Sequence, residues 1–480
     1  MQTSRATCSG FHCGRVLRQA VRVLPKLAGD VPGPRSRELS ARLRRFESRN
    51  VTFTAEDWPV FWERAEGANV WDADGNRFLD LTSAFGVAAT GHTRPEIRDA
   101  VTAQASQLMH AMGDVHPAAL KADVCERLSA MTFERWGAGT GKVILGNSGF
   151  EAVEAALKTS LLHSRKPGVI AFRGGYHGLG FGALAAGGIP FFREPFRAQI
   201  KDFATLLPYP GCYRCPYGVC DGFRLEGRDF PNCSTACLEK LRTEMDAVIR
   251  QRDIGAILVE PIQGRGGCVV PPRDFLRLLR QICDEQKILL IADEILTGFN
   301  RTGALFACEH SDVVPDIICL GKALTGGFPL SACVGRADIM DAWPASGGEA
   351  LHTSTFLGNP LGCAMALASM RIHDDAEVAR AVREKGAKLK AALRVIRSPH
   401  IGDVRGVGLM IGVELVEPGK SAPATELAIA IVKRALKDGV ILLADSPASN
   451  VLSFTPPFCI SDEEIAFAAS WLEGALARHP

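Results

Sequence analysis

From about residue 140 onward, short apolar segments rich in Val and Ile alternate with longer helical stretches. The predicted strands are Gly168–Phe172, Ile254–Val259, Ile288–Ala292, Asp316–Leu320 and Leu330–Val334. The predicted helices include Phe150–Leu162, Asp274–Gln286 and Pro360–Ile372. Continuous apolar strands that alternate with helices are typical of a largely parallel sheet covered by helices on both faces. The pattern therefore predicts an α/β fold.

The two ends of the chain follow a different pattern. Asn69–Asp80 contains two short strand-like segments around an Asp-Gly-Asn turn, which indicates a hairpin. After about residue 370, long helices accompany the predicted strands Leu409–Leu415 and Val440–Leu443, and we expect a separate α+β unit there. The expected division is a basic extension (1–35), an N-terminal part of a small domain (36–85), a large domain (86–368) with a Cys-rich insertion (208–240), and a C-terminal small domain (369–480).

Charge and cysteine content exclude several classes of protein. The 55 Lys and Arg nearly balance the 53 Asp and Glu, so we expect no nucleic-acid partner. No apolar segment approaches the roughly 20 residues of a membrane-spanning helix, so we expect no membrane partner. Fifteen Cys in 480 residues are too sparse for a secreted disulfide scaffold. We therefore expect a cytoplasmic protein.

The first 45 residues differ in charge from the rest of the chain. They contain ten Arg or Lys but only two acids, Asp30 and Glu38. An Arg-rich, acid-poor segment that can form an amphipathic helix is typical of a mitochondrial transit peptide. The mitochondrial matrix is therefore the alternative location if 1–35 is such a peptide. A disordered basic extension and a start codon placed too early remain open as well.

Four of the predicted strands are followed by chemically reactive residues. Tyr176 and His177 follow the first of these strands, and Glu260, Asp293 and Lys322 follow the next three. Ligands of open parallel sheets bind at the carboxyl ends of the strands. We therefore expect these side chains to share one edge of the sheet.

A further feature precedes the helix that begins near Phe150. Ser148 and Gly149 would place free backbone N–H groups at the helix N-terminus, which is an anion site, although ordinary N-capping is the alternative. A lysine that can form a Schiff base, an acid, a stacking ring and a phosphate site are together what pyridoxal phosphate requires.

Several longer segments are similar, in order and spacing, to the class III (subgroup II, ω-type) pyridoxal-phosphate-dependent aminotransferases of fold type I. These segments are Leu290–Gly303, Asp316–Gly327, Asn147–Ala152, Tyr176–Gly178, Glu260–Gln263, His352–Pro360 and Val404–Leu409. The resemblance implies a large domain with a mostly parallel seven-stranded sheet, plus a smaller α+β domain built from the two chain ends.

The resemblance also implies roles for individual residues. Lys322 and Asp293 would be catalytic: Lys322 binds the cofactor and transfers the proton, and Asp293 pairs with the pyridinium nitrogen. Arg405 would bind a substrate carboxylate. The other implied cofactor-binding residues are Ser148, Gly149 and Phe150 at the phosphate, Tyr176 and Ile295 on the ring faces, Gln263 near the phenolic oxygen, His177, Glu260, and Thr355.

Thr355 would reach the phosphate bound in the neighbouring subunit, so the resemblance implies a homodimer with active sites at the interface. His177 and Glu260 would either contact the cofactor or only support the site. The implied reaction moves an amino group from an amino acid or ω-amino donor to a 2-oxo acid through pyridoxamine phosphate. An amino-acid racemase or epimerase on the same scaffold is the alternative, because it would use the same Lys322 and Asp293.

Two positions depart from the 4-aminobutyrate and ornithine aminotransferases. Leu179 stands where those enzymes have an arginine for the distal substrate group. Arg265 stands where they have a glutamate that gates the carboxylate-binding arginine. Leu179 favours a less polar pocket, whereas Arg265 favours a second carboxylate or phosphate contact. The substrate therefore stays open.

The insertion contains five cysteines. Cys212 and Cys215 form a CxxC motif, and Cys233 and Cys237 form a CxxxC motif, which is zinc-like spacing. The insertion resembles one in a branch of class III enzymes that includes archaeal aminotransferases and amino-acid racemases. A structural metal site, a pair of disulfides and free thiols are the three alternatives. We hypothesise that these four cysteines staple a surface loop and that Cys220 is spare.

Overall fold

The computed structural model describes residues 24–219 and 235–478. Its strands are β1 (Trp62–Glu66), β2 (Asn69–Asp72), β3 (Arg77–Asp80), β4 (Gly141–Gly146), β5 (Gly168–Phe172), β6 (Ala204–Leu207), β7 (Ile254–Val259), β8 (Leu289–Asp293), β9 (Ile317–Leu320), β10 (Ser331–Arg336), β11 (Ile401–Val407), β12 (Met410–Leu415), β13 (Val440–Ile441), β14 (Leu443–Asp445) and β15 (Val451–Phe454). Its helices are α1 (Pro34–Phe46), α2 (Ser83–Gly86), α3 (Pro95–Ala105), α4 (Ala119–Ser129), α5 (Gly149–Ser164), α6 (Phe181–Ala186), α7 (Pro190–Arg193), α8 (Thr235–Gln251), α9 (Phe275–Gln286), α10 (Ala337–Met340), α11 (Pro360–His373), α12 (Ala376–Arg394), α13 (Thr425–Lys437) and α14 (Asp462–Leu476).

Seven strands form the central sheet, in the order β4-β10-β9-β8-β7-β5-β6. Only β10 runs antiparallel to its neighbours in this sheet. Every residue of β5, β7 and β8 is buried, because helices cover both faces. Leu290 packs in the same apolar cluster as α9, and its neighbour Ile291 packs in the cluster that contains α5. The predicted α/β fold and the implied seven-stranded sheet are confirmed.

The five strands predicted for this sheet are present, with shifted ends at three of them. β8 begins at Leu289 and includes Asp293, β9 begins at Ile317, and β10 is Ser331–Arg336. The sequence did not predict β4 or β6. β6 is an edge strand whose two middle residues are partly exposed, and β4 carries exposed Lys142 near its start, so neither has the pattern of a continuous buried strand.

Two four-stranded sheets flank the central one, in the orders β1-β2-β3-β13 and β11-β12-β15-β14. The predicted hairpin is confirmed as the antiparallel pair β2–β3. The single strand predicted at Val440–Leu443 is wrong. β13 pairs with β3 in one sheet, and β14 pairs with β15 in the other. Leu442, between β13 and β14, is also buried, so the sequence stays apolar where the chain passes from one sheet to the other. Hydrophobicity therefore does not reveal that two strands are present.

The pairing of β13 with β3 joins the two ends of the chain in one sheet, which confirms that the smaller α+β part draws on both chain ends. The domain boundaries at residues 35, 85 and 368 stay predictions. Within the described ranges, no helix combines the length and apolar character needed to span a membrane.

Candidate active site

The carboxyl ends of four adjacent strands place their polar residues at one edge of the central sheet. β9, β8, β7 and β5 are consecutive parallel neighbours. Lys322 follows β9, Asp293 ends β8, Glu260 follows β7, and His177 lies in the loop after β5. Parallel neighbours end on the same side, so the structure brings together these four of the five residues that the sequence singled out after the strands.

Asp293 and His177 form a buried pair at the centre of this edge. His177 Nδ1 lies 2.7 Å from Asp293 Oδ2, and the backbone N–H of Ile295 donates to Asp293 Oδ1 at 3.1 Å. Burial acts to lower the pKa of His177, but the hydrogen bond to Asp293 and the charges of Asp293 and Glu260 raise that pKa above its ordinary value. The pair fixes the carboxylate in position.

Glu260 connects the loop after β5 to the loop after β7. Its carboxylate accepts the backbone N–H of Tyr176 at 2.8 Å and that of Gly264 at 2.9 Å. Burial raises the pKa of Glu260 to about 7, although His177 and the two N–H donors act against this rise. These two hydrogen bonds hold the two loops together, and whether Glu260 also contacts the cofactor stays a prediction.

Lys322 begins a short 3-10 turn with a positive φ of 43°. Burial lowers the pKa of its amine, and the charges of Asp293, Glu260 and Asp445 partly offset that effect. A lowered pKa increases the fraction of neutral, nucleophilic amine. A Cβ atom added at Gly86 would lie 3.7 Å from Lys322 Cδ, so the end of α2 lies beside the lysine side chain.

The segment α2 is a single left-handed turn rather than a regular helix. Ser83, Ala84 and Phe85 have φ values of 49°, 49° and 62°, which non-glycine residues adopt only where the surroundings enforce it. Asp80 supplies this support by accepting the Ala84 N–H at 3.0 Å. The Ser83 hydroxyl donates to the Thr455 carbonyl at 2.6 Å.

Arg301 ties the left-handed turn to the C-terminal part of the chain. It is 1 % exposed, and it donates to the carbonyls of Leu409 at 3.0 Å and Pro456 at 2.7 Å and to Ser83 Oγ at 3.4 Å. Burial lowers the pKa of Arg301 to about 9. Sequence reasoning gave Arg301 no role, although the residue lies inside the matched segment Leu290–Gly303.

The N-terminus of α5 opens toward the same edge. Ser148 is the N-cap residue with extended backbone, and its side chain makes no capping hydrogen bond, so ordinary N-capping is not formed. The first N–H groups of the helix, at Gly149 and Phe150, have no acceptor one turn earlier in the helix. A Cβ atom at Gly149 would lie 3.0 Å from Ile295 Cδ1, so a larger residue would crowd this wall.

Three other predicted cofactor residues, Tyr176, Gln263 and Thr355, differ in how far they are buried and in what they contact. The half-buried ring of Tyr176 contacts Phe192 edge to face at a centroid distance of 5.4 Å. Gln263 is buried and donates to the Arg173 carbonyl at 2.9 Å, which joins two loops of the site. Its expected contact with a phenolic oxygen stays a prediction. Thr355 is exposed, and its reach into a second subunit stays a prediction.

Arg405 on β11 is already engaged with protein groups. Its Nη1 donates to Asp403 at 3.1 Å and to Glu414 at 2.7 Å, and its Nη2 donates to the Gly267 carbonyl at 2.7 Å. Burial acts to lower the pKa of Arg405, but the two carboxylates raise it. The residue therefore stays a cation inside the site.

Leu179 and Arg265, the two positions with an unexpected residue type, have different surroundings. Leu179 is 52 % exposed. Arg265 donates to Asp445 at 2.9 Å. Sequence reasoning missed Asp445 and Glu414, the acids that pair with the two arginines. Their position along the sequence could have indicated them, because Asp445 is the last residue of β14 and Glu414 is the last but one of β12.

Three of the five insertion cysteines lie within the described residues. The sulfur atoms of Cys215 and Cys237 are 3.9 Å apart, and Cys212 and Cys237 are buried. Cys220 and Cys233 lie outside the described residues. Among residues 24–219 and 235–478, no group of three or more His, Cys, Asp or Glu is arranged to hold a metal ion. The four-cysteine staple stays a hypothesis.

Taken as a cofactor site, this edge fits pyridoxal phosphate. It offers a buried amine with a lowered pKa, a fixed carboxylate, and a helix N-terminus whose N-cap side chain makes no hydrogen bond to the helix backbone. These groups match the aldehyde, the ring nitrogen and the phosphate of the cofactor.

Comparison with known proteins agrees with this fit. The family model for class-III aminotransferases matches residues 52–476. The 4-aminobutyrate aminotransferase of Mycobacterium leprae is 38 % identical over 445 residues, which are 92 % of this chain and 95 % of that protein. The leucine/methionine racemase of Thermococcus litoralis is 32 % identical over 451 residues, which are 92 % of this chain and 96 % of that protein.

A solved structure has the same fold. It is an amine transaminase from an uncultivated Pseudomonas species in its pyridoxal-phosphate-bound form. It is 31 % identical with a TM-score of 0.81, and the match covers 91 % of this chain and 99 % of that one.

Proposed function

The chain belongs to the class-III aminotransferases, and from this premise we propose how its site works. It is a pyridoxal-phosphate-dependent enzyme that moves an amino group from an amino donor to a 2-oxo acid. We propose that Lys322 and Asp293 are its catalytic residues. The supporting observation is that Asp293 is buried and is held in place by His177. Asp293 ends β8, which is the neighbour of β9, the strand that Lys322 follows.

When bound, pyridoxal phosphate supplies the electron sink that stabilises charge on the substrate carbon. Asp293 would keep the ring nitrogen protonated, and His177 holds Asp293 in position. Lys322 would hold the cofactor and move the proton at the reacting carbon, a task that its lowered amine pKa favours. The α5 N-terminus would bind the phosphate, and Ile295 and Tyr176 would pack against the ring.

For the substrate, we propose a donor with a carboxylate that Arg405 binds. A planar guanidinium suits this task, because it can donate two parallel hydrogen bonds. The same arginine would then bind the carboxylate of the 2-oxo acid in the second half of the reaction. Leu179 supports an apolar environment for the rest of the donor, whereas Arg265 is taken up by Asp445.

We propose a homodimer in the cytoplasm. Thr355 lies in an exposed segment that also carries Leu351 and Phe356, whose side chains are 70 % and 58 % exposed. Burial of such apolar groups against a second copy is favourable. All cysteines among the described residues are unbridged, which supports a reducing compartment.

The test is the visible absorption of the purified holoenzyme, recorded before and after amino donors are added without any 2-oxo acid. A donor that bleaches the absorption has passed its amino group to the cofactor, and that donor identifies the substrate class. If no donor bleaches it while the α-proton of an amino acid exchanges with solvent, the racemase alternative replaces the proposed reaction.

A further inference from the structure

The Cys-rich insertion contacts the strands that carry Arg405. Arg214, at the start of the insertion, pairs with Glu414 on β12, which is 3 % exposed. Its neighbour Tyr213 packs on β11, where a Cβ atom at Gly402 would lie 2.1 Å from the Tyr213 hydroxyl oxygen. Two adjacent residues of the insertion therefore lie on the two strands that form the Arg405 environment.

Glu414 has two cationic partners. One carboxylate oxygen accepts from Arg405 Nη1 at 2.7 Å, and the other accepts from Arg214 Nε. Asp403 is the second acid at Arg405. Two arginines and two carboxylates thus form a neutral cluster, and all four line a pocket of about 420 Å³.

The hydrogen bonds of Arg405 limit how it can bind a carboxylate. Both Nη1 hydrogens are directed to acids, Asp403 and Glu414, and Nη2 donates to a single acceptor among the described residues. A two-point grip through Nη1 and Nη2 therefore requires Arg405 to release one acid. A buried carboxylate left without a cation is costly, so this release depends on another partner.

We propose that Arg214 is that partner and is a positioning residue that sets how strongly Arg405 binds a substrate carboxylate. When Arg405 turns to the substrate, Arg214 keeps Glu414 paired. Without Arg214, Glu414 holds Arg405 alone and competes with the substrate for Nη1. This inference rests on the proposed carboxylate-binding role of Arg405. It gives the insertion a part in substrate selection.

The test compares the binding of butanoate and of uncharged butanamide to the holoenzyme by calorimetry. In Arg214→Ala, the Kd of butanoate is expected to rise about tenfold. In Arg214→Lys, which keeps the charge but lacks the planar guanidinium group, the Kd is expected to rise about threefold. The control is Arg252→Ala, because its side chain is 42 % exposed against 43 % for Arg214 and its partners lie outside this cluster. Butanamide binding and the control are expected to change by less than about twofold.

An unchanged Kd of butanoate in Arg214→Ala, or an equal loss for butanoate and butanamide, overturns the inference. Arg405→Lys separates this result from a failure of the proposed function. If Arg405→Lys binds butanoate as well as the wild type does, or if the wild type does not prefer butanoate to butanamide, the carboxylate role of Arg405 is wrong. If only the Arg214 variants behave like the wild type, that role stands and the present inference is wrong.

Discussion

Replacing Asp293 by Asn removes the buried negative charge while it keeps the size of the side chain. Asp293 is 4 % exposed and has His177 at 2.7 Å, so little solvent can compensate for the lost charge. Removing one member of a buried charged pair costs about 3–5 kcal/mol. If that cost falls on the transition state, with about 1.4 kcal/mol for each factor of ten, kcat is expected to fall by a factor of about one hundred to several thousand.

The assay is a single-turnover donor half-reaction, followed by the loss of visible absorption. The pKa of His177, followed by NMR, provides a second readout and is expected to fall, because Asp293 raises it. Asp316→Asn is the matched control, since Asp316 is a buried carboxylate paired with Arg280 on the opposite edge of the sheet. It is expected to lose stability but to retain its rate per folded molecule. A fall of less than about tenfold in Asp293→Asn refutes the reasoning.

Three further predictions concern the same edge of the sheet. Lys322→Ala is expected to fold, as checked by circular dichroism, but to lose all turnover; retained turnover contradicts the assigned role. Burial raises the pKa of Glu260 to about 7 from an ordinary 4.5. Between pH 4.5 and 7 the folded state therefore binds more protons than the unfolded state does, so the free energy of unfolding falls as pH rises. Glu260→Gln lacks this slope, so its unfolding free energy relative to wild type should increase with pH in denaturant titrations; a parallel pair of curves excludes the effect. Thr355→Val should weaken cofactor binding up to about tenfold in fluorescence titrations, because one phosphate hydrogen bond is lost; an unchanged Kd removes Thr355 from the phosphate site.

The strands that carry the site could be predicted because burial on both faces requires continuous apolar runs. β5 and β7 begin and end at the predicted residues, and the positions of Asp293 and Lys322 at strand ends follow from the same reasoning. The edge strand β6 is buried only at its two ends, Ala204 and Leu207, so the requirement for a continuous buried run does not apply to it. The change of sheet at Leu442 depends on long-range pairing, which no local pattern encodes.

The surroundings of the arginines could not be predicted for a related reason. Arg405 meets Glu414 through the pairing of β11 with β12, and Arg214 reaches the same acid from 200 positions away in the sequence. Periodicity gives no information on such contacts. The role of Arg301 is equally hidden, because two of its three partners are backbone carbonyls, which every residue possesses.

The joining of the two chain ends affects when the enzyme becomes competent during synthesis. Ser83, in the turn beside Lys322, bonds to Thr455, which is 372 positions later in the sequence. β3 likewise waits for β13. The seven-stranded sheet can assemble while the ribosome is still translating. The turn α2 beside Lys322 reaches its final position only after β15, the last strand, has emerged. A truncated or stalled chain would therefore contain Lys322, the proposed cofactor lysine, without a finished pocket around it.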